Sequence, residues 1–226
     1  MTFILTNDDG IDAPGIKALK QAVNGQGIIF APKQQQSGCG HQVTTNQPIQ
    51  VQRRSDLAYA VDGTPADCTR IALTQFDRHK IKWVLSGINA GGNLGVDVYI
   101  SGTVAAVREA AMQGIPGIAI SHWIKRPLLV DWELAANCST RVFQELFDRP
   151  LPDRSFWNVN LPHLTKDDPE PEIVFCQPSI DPLPINYRIE GDRYCYQGEY
   201  SQRDRTLGTD VDVCFSGNIA VTLIKL

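Results

Sequence analysis

Two carboxylates stand side by side near the start of the chain, in Asn7-Asp8-Asp9-Gly10, directly after the apolar run Phe3-Ile4-Leu5. Adjacent acids repel; at about 4 Å and an effective dielectric near 20 the cost is roughly 4 kcal/mol. A surface turn relieves this by splaying both into water, and a bound cation relieves it better. Other polar groups recur at intervals: Ser37 in Gln36-Ser37-Gly38, Asn89 and Asn93 among the small residues of Asn89-Ala90-Gly91-Gly92-Asn93-Leu94-Gly95, and Ser101-Gly102-Thr103. Asp, Asn and Ser offer oxygen donors, which suit a hard cation such as Mg²⁺ or Mn²⁺ rather than zinc. The glycines permit close backbone approach to a ligand. Ser101-Gly102-Thr103 opens a helix, where free N–H groups and the helix dipole favour an anion; an ordinary Ser or Thr cap is the plainer alternative. A cation beside an anion cradle describes a phosphate ester site.

These groups have to be positioned by the elements between them. Phe3 to Thr6 reads as a buried strand. Asp12-Ala13-Pro14-Gly15 starts a helix with Asp12 as its cap, Ile16, Leu19 and Val23 as its apolar face, and Asn24-Gly25 as its stop. Gly27 to Ala31 is a second strand, followed by a polar loop from Pro32 to Gly40 and a stretch of β character through Val43, Ile49, Val51 and Tyr59 to Val61. Thr64-Pro65-Ala66-Asp67 starts a helix, Trp83-Val84-Leu85 is a strand, and Val104 to Met112 is a strong helix. Ile118-Ala119-Ile120 is a strand, Asp131 to Phe147 is helical, and Trp157-Asn158-Val159-Asn160 is strand-like. This alternation predicts an α/β fold, with a mostly parallel sheet and helices on both faces. In such a sheet ligands bind beyond the carboxyl ends of the strands, which is where the polar groups collect, Ser121-His122 and Asn158 to Asn160 included. From Pro162 onward prolines interrupt the chain and no helix is expected; short β segments at Ile173 to Phe175, Tyr194 to Tyr196 and Ile219 to Leu223 suggest hairpins. The expected organisation is one domain over 1–226, an α/β core over 1–161 and a β-rich extension over 162–226.

Composition narrows the classes further. A chain of 226 residues with 42% hydrophobic content can bury one sizeable core. Net charge is −4 without a long basic run, so no nucleic-acid polymer is expected as a partner. No signal peptide is read and no apolar run is long enough to span a bilayer, so no membrane partner is expected and the expected location is cytoplasmic. The 6 cysteines contain no CxxC pair and read as reduced thiols, and the 4 dispersed histidines suggest no zinc site.

The motifs TNDDGIDAPGI, QSGCG, GTPADC, SGINAGGNLG, SGTVAAVREA, GIPGIAIS, NVNLP and GTDVD follow one another along nearly the whole chain. In that order they resemble the SurE (survival protein E) family. The resemblance implies a Rossmann-like fold with a protruding β-hairpin region. It implies a phosphatase acting on nucleoside monophosphates, a 5′-nucleotidase with action on 3′-nucleotides left open, with one divalent cation, Mg²⁺ or Mn²⁺, per subunit. The implied metal ligands are Asp8, Asp9, Ser37 and Asn89, with Asp8 and Asp9 also the catalytic pair; Asn93, Ser101, Gly102 and Thr103 fall at the phosphate. A homodimer or homotetramer built through the C-terminal part is implied as well. Ile100, rather than Tyr, precedes Ser101, a departure from the family's pattern. Two alternatives stand beside this reading. One is a nucleotide-binding protein without turnover. The other is a receiver-like signalling module, which also carries an acidic pair after its first strand. It needs an acceptor Asp and a Lys where this chain has Ser86-Gly87-Ile88-Asn89 and Ile120-Ser121-His122.

Overall fold

In the computed structural model, which describes residues 2–125 and 127–226, strands and helices alternate as the sequence pattern requires. The order is β1 (Thr2–Thr6), α1 (Pro14–Ala22), β2 (Ile28–Pro32), β3 (Val51–Ser55), β4 (Ala58–Val61), α2 (Pro65–Gln75), β5 (Ile81–Ala90), α3 (Gly102–Met112), β6 (Gly117–His122), α4 (Trp132–Leu146) and β7 (Ser155–Leu161). It continues through β8 (Ile173–Phe175), β9 (Tyr187–Glu190), β10 (Arg193–Tyr196), α5 (Asp210–Phe215) and β11 (Ile219–Lys225). Nine strands form one sheet in the order β3-β4-β2-β1-β5-β6-β7-β11-β8, while β9 and β10 pair apart from it as an antiparallel hairpin. The body from β4 to β7 is parallel; β3 and β11 run antiparallel to their neighbours β4 and β7.

Successive strand residues face opposite layers. Leu5 and Leu85 pack with α1 and α4, whereas Ile4 and Val84 pack with α2 and α3. The expected α/β sheet with helices on both faces is therefore present. The connection through α1 leads from β1 to β2 on one side, and the chain later returns to β5 on the other. β1 and β5 are thus neighbours whose onward connections diverge, and an open sheet has its crevice outside the carboxyl ends of such a pair. Asp8 and Asp9 follow β1 and Asn89 lies near the end of β5, so strand order alone brings them together.

Several local expectations change. Asp12 does not cap α1. Pro14 holds the preceding residue in extended backbone, so Ala13 becomes the N-cap without a side-chain bond and Asp12 is left outside, exposed. Val43 and Ile49 lie outside strands, and β3 begins only at Val51. β5 outlasts its apolar run: the Gly87–Ile88 peptide is cis, the register with β6 shifts between Ser86 and Asn89, and pairing resumes at Asn89↔Ser121. The region after Pro162 does contain a helix, α5, too short to show a period in sequence yet burying Val211 and Cys214. Of the three β segments there, only Tyr194 to Tyr196 lies in a hairpin, while β8 and β11 extend the main sheet.

α1 sits very close to the bulged part of β5. A Cβ at Gly15 would lie 1.9 Å from the Ile88 carbonyl oxygen, closer than any real contact. Gly15→Ala is therefore expected to cost about 3 kcal/mol through forced backbone displacement. For a chain of this size that lowers the melting temperature by about 6–12 °C, readable in a thermal melt; an unchanged melt would contradict this packing.

Candidate active site

Asp8 lies just past β1 and is buried. Its Oδ1 accepts a short hydrogen bond from the Thr103 hydroxyl, and its main-chain carbonyl accepts from Gln36 N–H at 2.7 Å, which ties the loop carrying Ser37 to the end of β1. Ser37 itself is exposed, its Oγ accepting from Gln35 Nε2 at 2.8 Å. Asp9 Oδ2 accepts from Ala90 N–H at 3.1 Å, which ties the second carboxylate to the end of β5. Asn89, next to Ala90, donates its amide to the Gly91 carbonyl at 2.8 Å. The four expected cation ligands thus come from three segments fastened to one another around the β1 end.

The N-terminus of α3 closes the other side. A Cβ at Gly102 would lie 3.0 Å from Asp8 Cβ and 3.2 Å from Cys39 Sγ, so only glycine fits without displacing them. Ser101 is the N-cap, its Oγ accepting from Val104 N–H at 3.1 Å. Ser101 and Thr103 therefore do different work: the Thr103 proton is committed to Asp8, whereas Ser101 accepts and keeps its own proton to donate. Ile100 and Tyr99 are exposed, so the departure from the family's pattern before Ser101 lies outside the packed core.

Asn93 is held from beneath. Its N–H donates to Asn160 Oδ1 at 2.7 Å, its carbonyl accepts from Asn158 Nδ2 at 2.9 Å and Asn160 Nδ2 at 3.0 Å, and its amide donates to Ser121 Oγ at 2.7 Å. The polar ends of β6 and β7 thus act as a frame for this loop. His122 is buried beside His163, with ring centroids 5.3 Å apart; burial first, then His163, push it down to about 4, and its Nδ1 bonds the Trp123 carbonyl at 2.7 Å.

The charge balance at the β1 end is one-sided. Burial raises the Asp8 carboxyl to about 6, the Thr103 hydroxyl opposes this and the Asp9 charge adds to it; burial also raises Asp9. Among the described residues no Lys, Arg or His forms an ion pair with either. Two desolvated carboxylates, tied by hydrogen bonds to the segments that carry Ser37 and Asn89, fit a hard cation.

A model of the family described as Survival protein SurE matches residues 3–180. The chain belongs to the SurE family. A protein of Nostoc sp. (strain PCC 7120) is 65% identical over 227 residues, with 100% of each chain covered. The protein of Geotalea daltonii named 5′-nucleotidase SurE is 34% identical, covering 100% of this chain and 93% of that one. The crystal structure of SurE protein from Aquifex aeolicus superposes with a TM-score of 0.85 at 31% identity, over 100% of this chain and 93% of its own. SurE membership replaces the receiver-like alternative.

Two features of this SurE chain carry little signal in sequence. Asp97 and Arg203 form a buried ion pair, Nη1 to Oδ2 at 2.8 Å, between residues 106 positions apart. Asp210, within the GTDVD motif, is wholly buried. The motif marks its position but says nothing of its partners.

The sign of the Asp8 shift sets a pH dependence. Between 3.8 and about 6 the folded protein keeps a proton that the unfolded chain has lost, so this group's contribution to stability falls as pH rises through that window. For a shift of this size the loss is about 3 kcal/mol. In chelator, wild type and Asp8→Asn are expected to melt together near pH 4, with wild type falling progressively below the variant by pH 7. A melting difference that does not change with pH would contradict the burial of this carboxylate.

Proposed function

We propose that this chain is a divalent-metal-dependent phosphomonoesterase that releases phosphate from nucleoside 5′-monophosphates. The observation that carries the reading is the pair Asp8 and Asp9, desolvated and without a cationic partner among the described residues, with Asp8 against the start of α3. The names of relatives such as the Geotalea daltonii 5′-nucleotidase SurE support the substrate class. Asp8, Asp9, Ser37 and Asn89 would hold the cation, which when bound polarises phosphoryl oxygens and lowers the pKa of a bound water. Asp9 uses one oxygen on Ala90 N–H, which leaves the other to orient the attacking water or take its proton. Thr103 fixes the Asp8 carboxylate in place. Ser101 donates its free proton to a phosphoryl oxygen, beside the first N–H groups of α3. Asn93, held by Asn158, Asn160 and Ser121, stands rigid at the phosphate.

The same reading takes the molecule to be a homodimer or homotetramer. It is supported by the exposed Tyr187, Ile189, Tyr194 and Tyr196 on the β9–β10 hairpin. Six free cysteines support a reducing cytoplasm. Among the described residues no helix is long and apolar enough to cross a membrane.

Phosphate release from a panel of 5′- and 3′-nucleoside monophosphates, with Mn²⁺, with Mg²⁺ and with chelator, tests the proposal. Turnover of 5′-monophosphates in a divalent metal, abolished by chelator, is expected; no release under any condition would overturn it. The two hydroxyls should also separate. Ser101→Ala should lower kcat/KM about ten- to a hundred-fold with metal affinity kept, because a hydrogen bond to charge is worth about 1–3 kcal/mol. Thr103→Val should weaken Mn²⁺ binding in calorimetry, because it frees Asp8. If Ser101→Ala costs only about 1 kcal/mol of stability and no turnover, its hydroxyl is a helix cap alone.

A further inference from the structure

The segment between Asn93 and Ser101 is held on one side from within the core, where Val98 is buried and its carbonyl accepts from the Arg108 guanidinium, and on the other by residues more than 80 positions further along the chain. The Asp210 carboxylate accepts three main-chain N–H groups: Gly95 on Oδ2 at 2.7 Å, and Ser179 and Val211 on Oδ1 at 2.8 and 2.9 Å. Two residues beyond Gly95, Asp97 Oδ2 accepts from Arg203 Nη1 at 2.8 Å, from the Tyr200 hydroxyl at 2.6 Å and from Leu94 N–H at 3.1 Å. Arg203 also reaches the Leu94 carbonyl at 3.2 Å. The Asp97 carbonyl in turn accepts Ser101 N–H at 3.1 Å. Asp97, Arg203 and Asp210 are all buried, so water does not compete for these bonds.

From this geometry we infer that Asp210, with the Asp97–Arg203 pair, is a positioning residue for catalysis: it sets the separation of Asn93 and Ser101 through the segment that joins them. The inference rests on the reading that places those two residues at the phosphate. Asn93 is fixed at one end by the β7 asparagines. Asp210 at Gly95 and Arg203 at Asp97 fix the first half of the stretch that leads to Ser101, and Arg108 with the buried Val98 holds the second half. The chemistry of Asp210 is specific. A carboxylate only accepts, and both of its oxygens face N–H groups here. An amide in its place keeps one oxygen for Ser179 and Val211 and turns an NH₂ toward Gly95 N–H. Asp210→Asn therefore releases the catalytic segment while α5 stays anchored.

Three quantities are measured on wild type and Asp210→Asn: hydrogen exchange of residues 91–101, Mn²⁺ affinity by calorimetry, and kcat and KM for the best 5′-monophosphate substrate. The expected result is faster exchange in that segment and a kcat lower by about ten- to a hundred-fold, the scale of a misplaced reacting group. Mn²⁺ affinity should stay unchanged, because Asp8, Asp9, Ser37 and Asn89 are untouched. Unchanged kcat, whatever the exchange does, would overturn the inference. So would a loss of kcat matched by an equal loss of Mn²⁺ affinity, since that is general damage. If Asp210→Asn does not fold, Tyr200→Phe removes one bond to Asp97, and a smaller fall in kcat with metal affinity kept is expected; no fall would count against the clamp. If the wild type turns over no nucleotide, the functional reading itself fails. Inorganic phosphate affinity in Mn²⁺ then decides the clamp separately: weaker binding by Asp210→Asn supports it, and equal binding overturns it.

Discussion

The structure turns on one electrostatic constraint: two adjacent carboxylates, one of them buried, at the end of the first strand. Little in the neighbouring chain relieves it. Burial raises both acids and Asp9 adds its repulsion to Asp8; the largest opposing contact on Asp8 is the hydroxyl of Thr103, 95 positions away, and on Asp9 it is Ala90 N–H, 81 positions away. A protein keeps such an arrangement at a cost in stability, which is characteristic of sites selected for chemistry rather than packing.

The surrounding architecture can be understood as what holds that pair still. The divergence of chain connections at β1 and β5 opens the crevice, and Ala90 and Gln36 fasten the two flanking loops to Asp9 and Asp8. Gly102 allows α3 to approach within contact of Asp8, so the positive end of an eleven-residue helix faces a carboxylate. Beneath, side-chain amides of β7 and the Ser121 hydroxyl brace the Asn93 loop. These hydrogen bonds anchor the loops to the ends of rigid strands, which is how a site keeps its geometry without the substrate.

Much of this is legible in sequence for a physical reason. Buried parallel strands read as apolar runs, and the polar residues that end them fall at one edge of the sheet, so Asp8, Asp9, Asn89, Ser121 and Asn160 could be gathered there before any coordinates. The cap at Ser101 and the capping box of Thr64 and Asp67 are local and equally visible. What sequence hides is non-local or overridden. Asp12 looks like a cap, but Pro14 dictates the backbone of Ala13 and moves the helix start past it. α5 is too short to show a period, and β8 and β11 look like hairpin strands until they are seen completing the sheet. The Asp97–Arg203 pair has no periodic or spacing signal at all, because it joins a loop to a distant segment. The division of labour between Ser101 and Thr103 depends on which proton is already committed, which only the folded geometry reveals.

The central claim is that Asp8 and Asp9 are kept together in order to bind a cation, at the expense of stability. Calorimetric titration with Mn²⁺ of wild type, Asp8→Asn and Asp9→Asn, all shown to be folded, tests it most directly. The expected result is micromolar or tighter binding to the wild type, with a loss of about a hundred-fold or more in each variant, since removing one charged ligand from a hard-cation site costs several kcal/mol. Mn²⁺ affinity unchanged in both variants would contradict the claim.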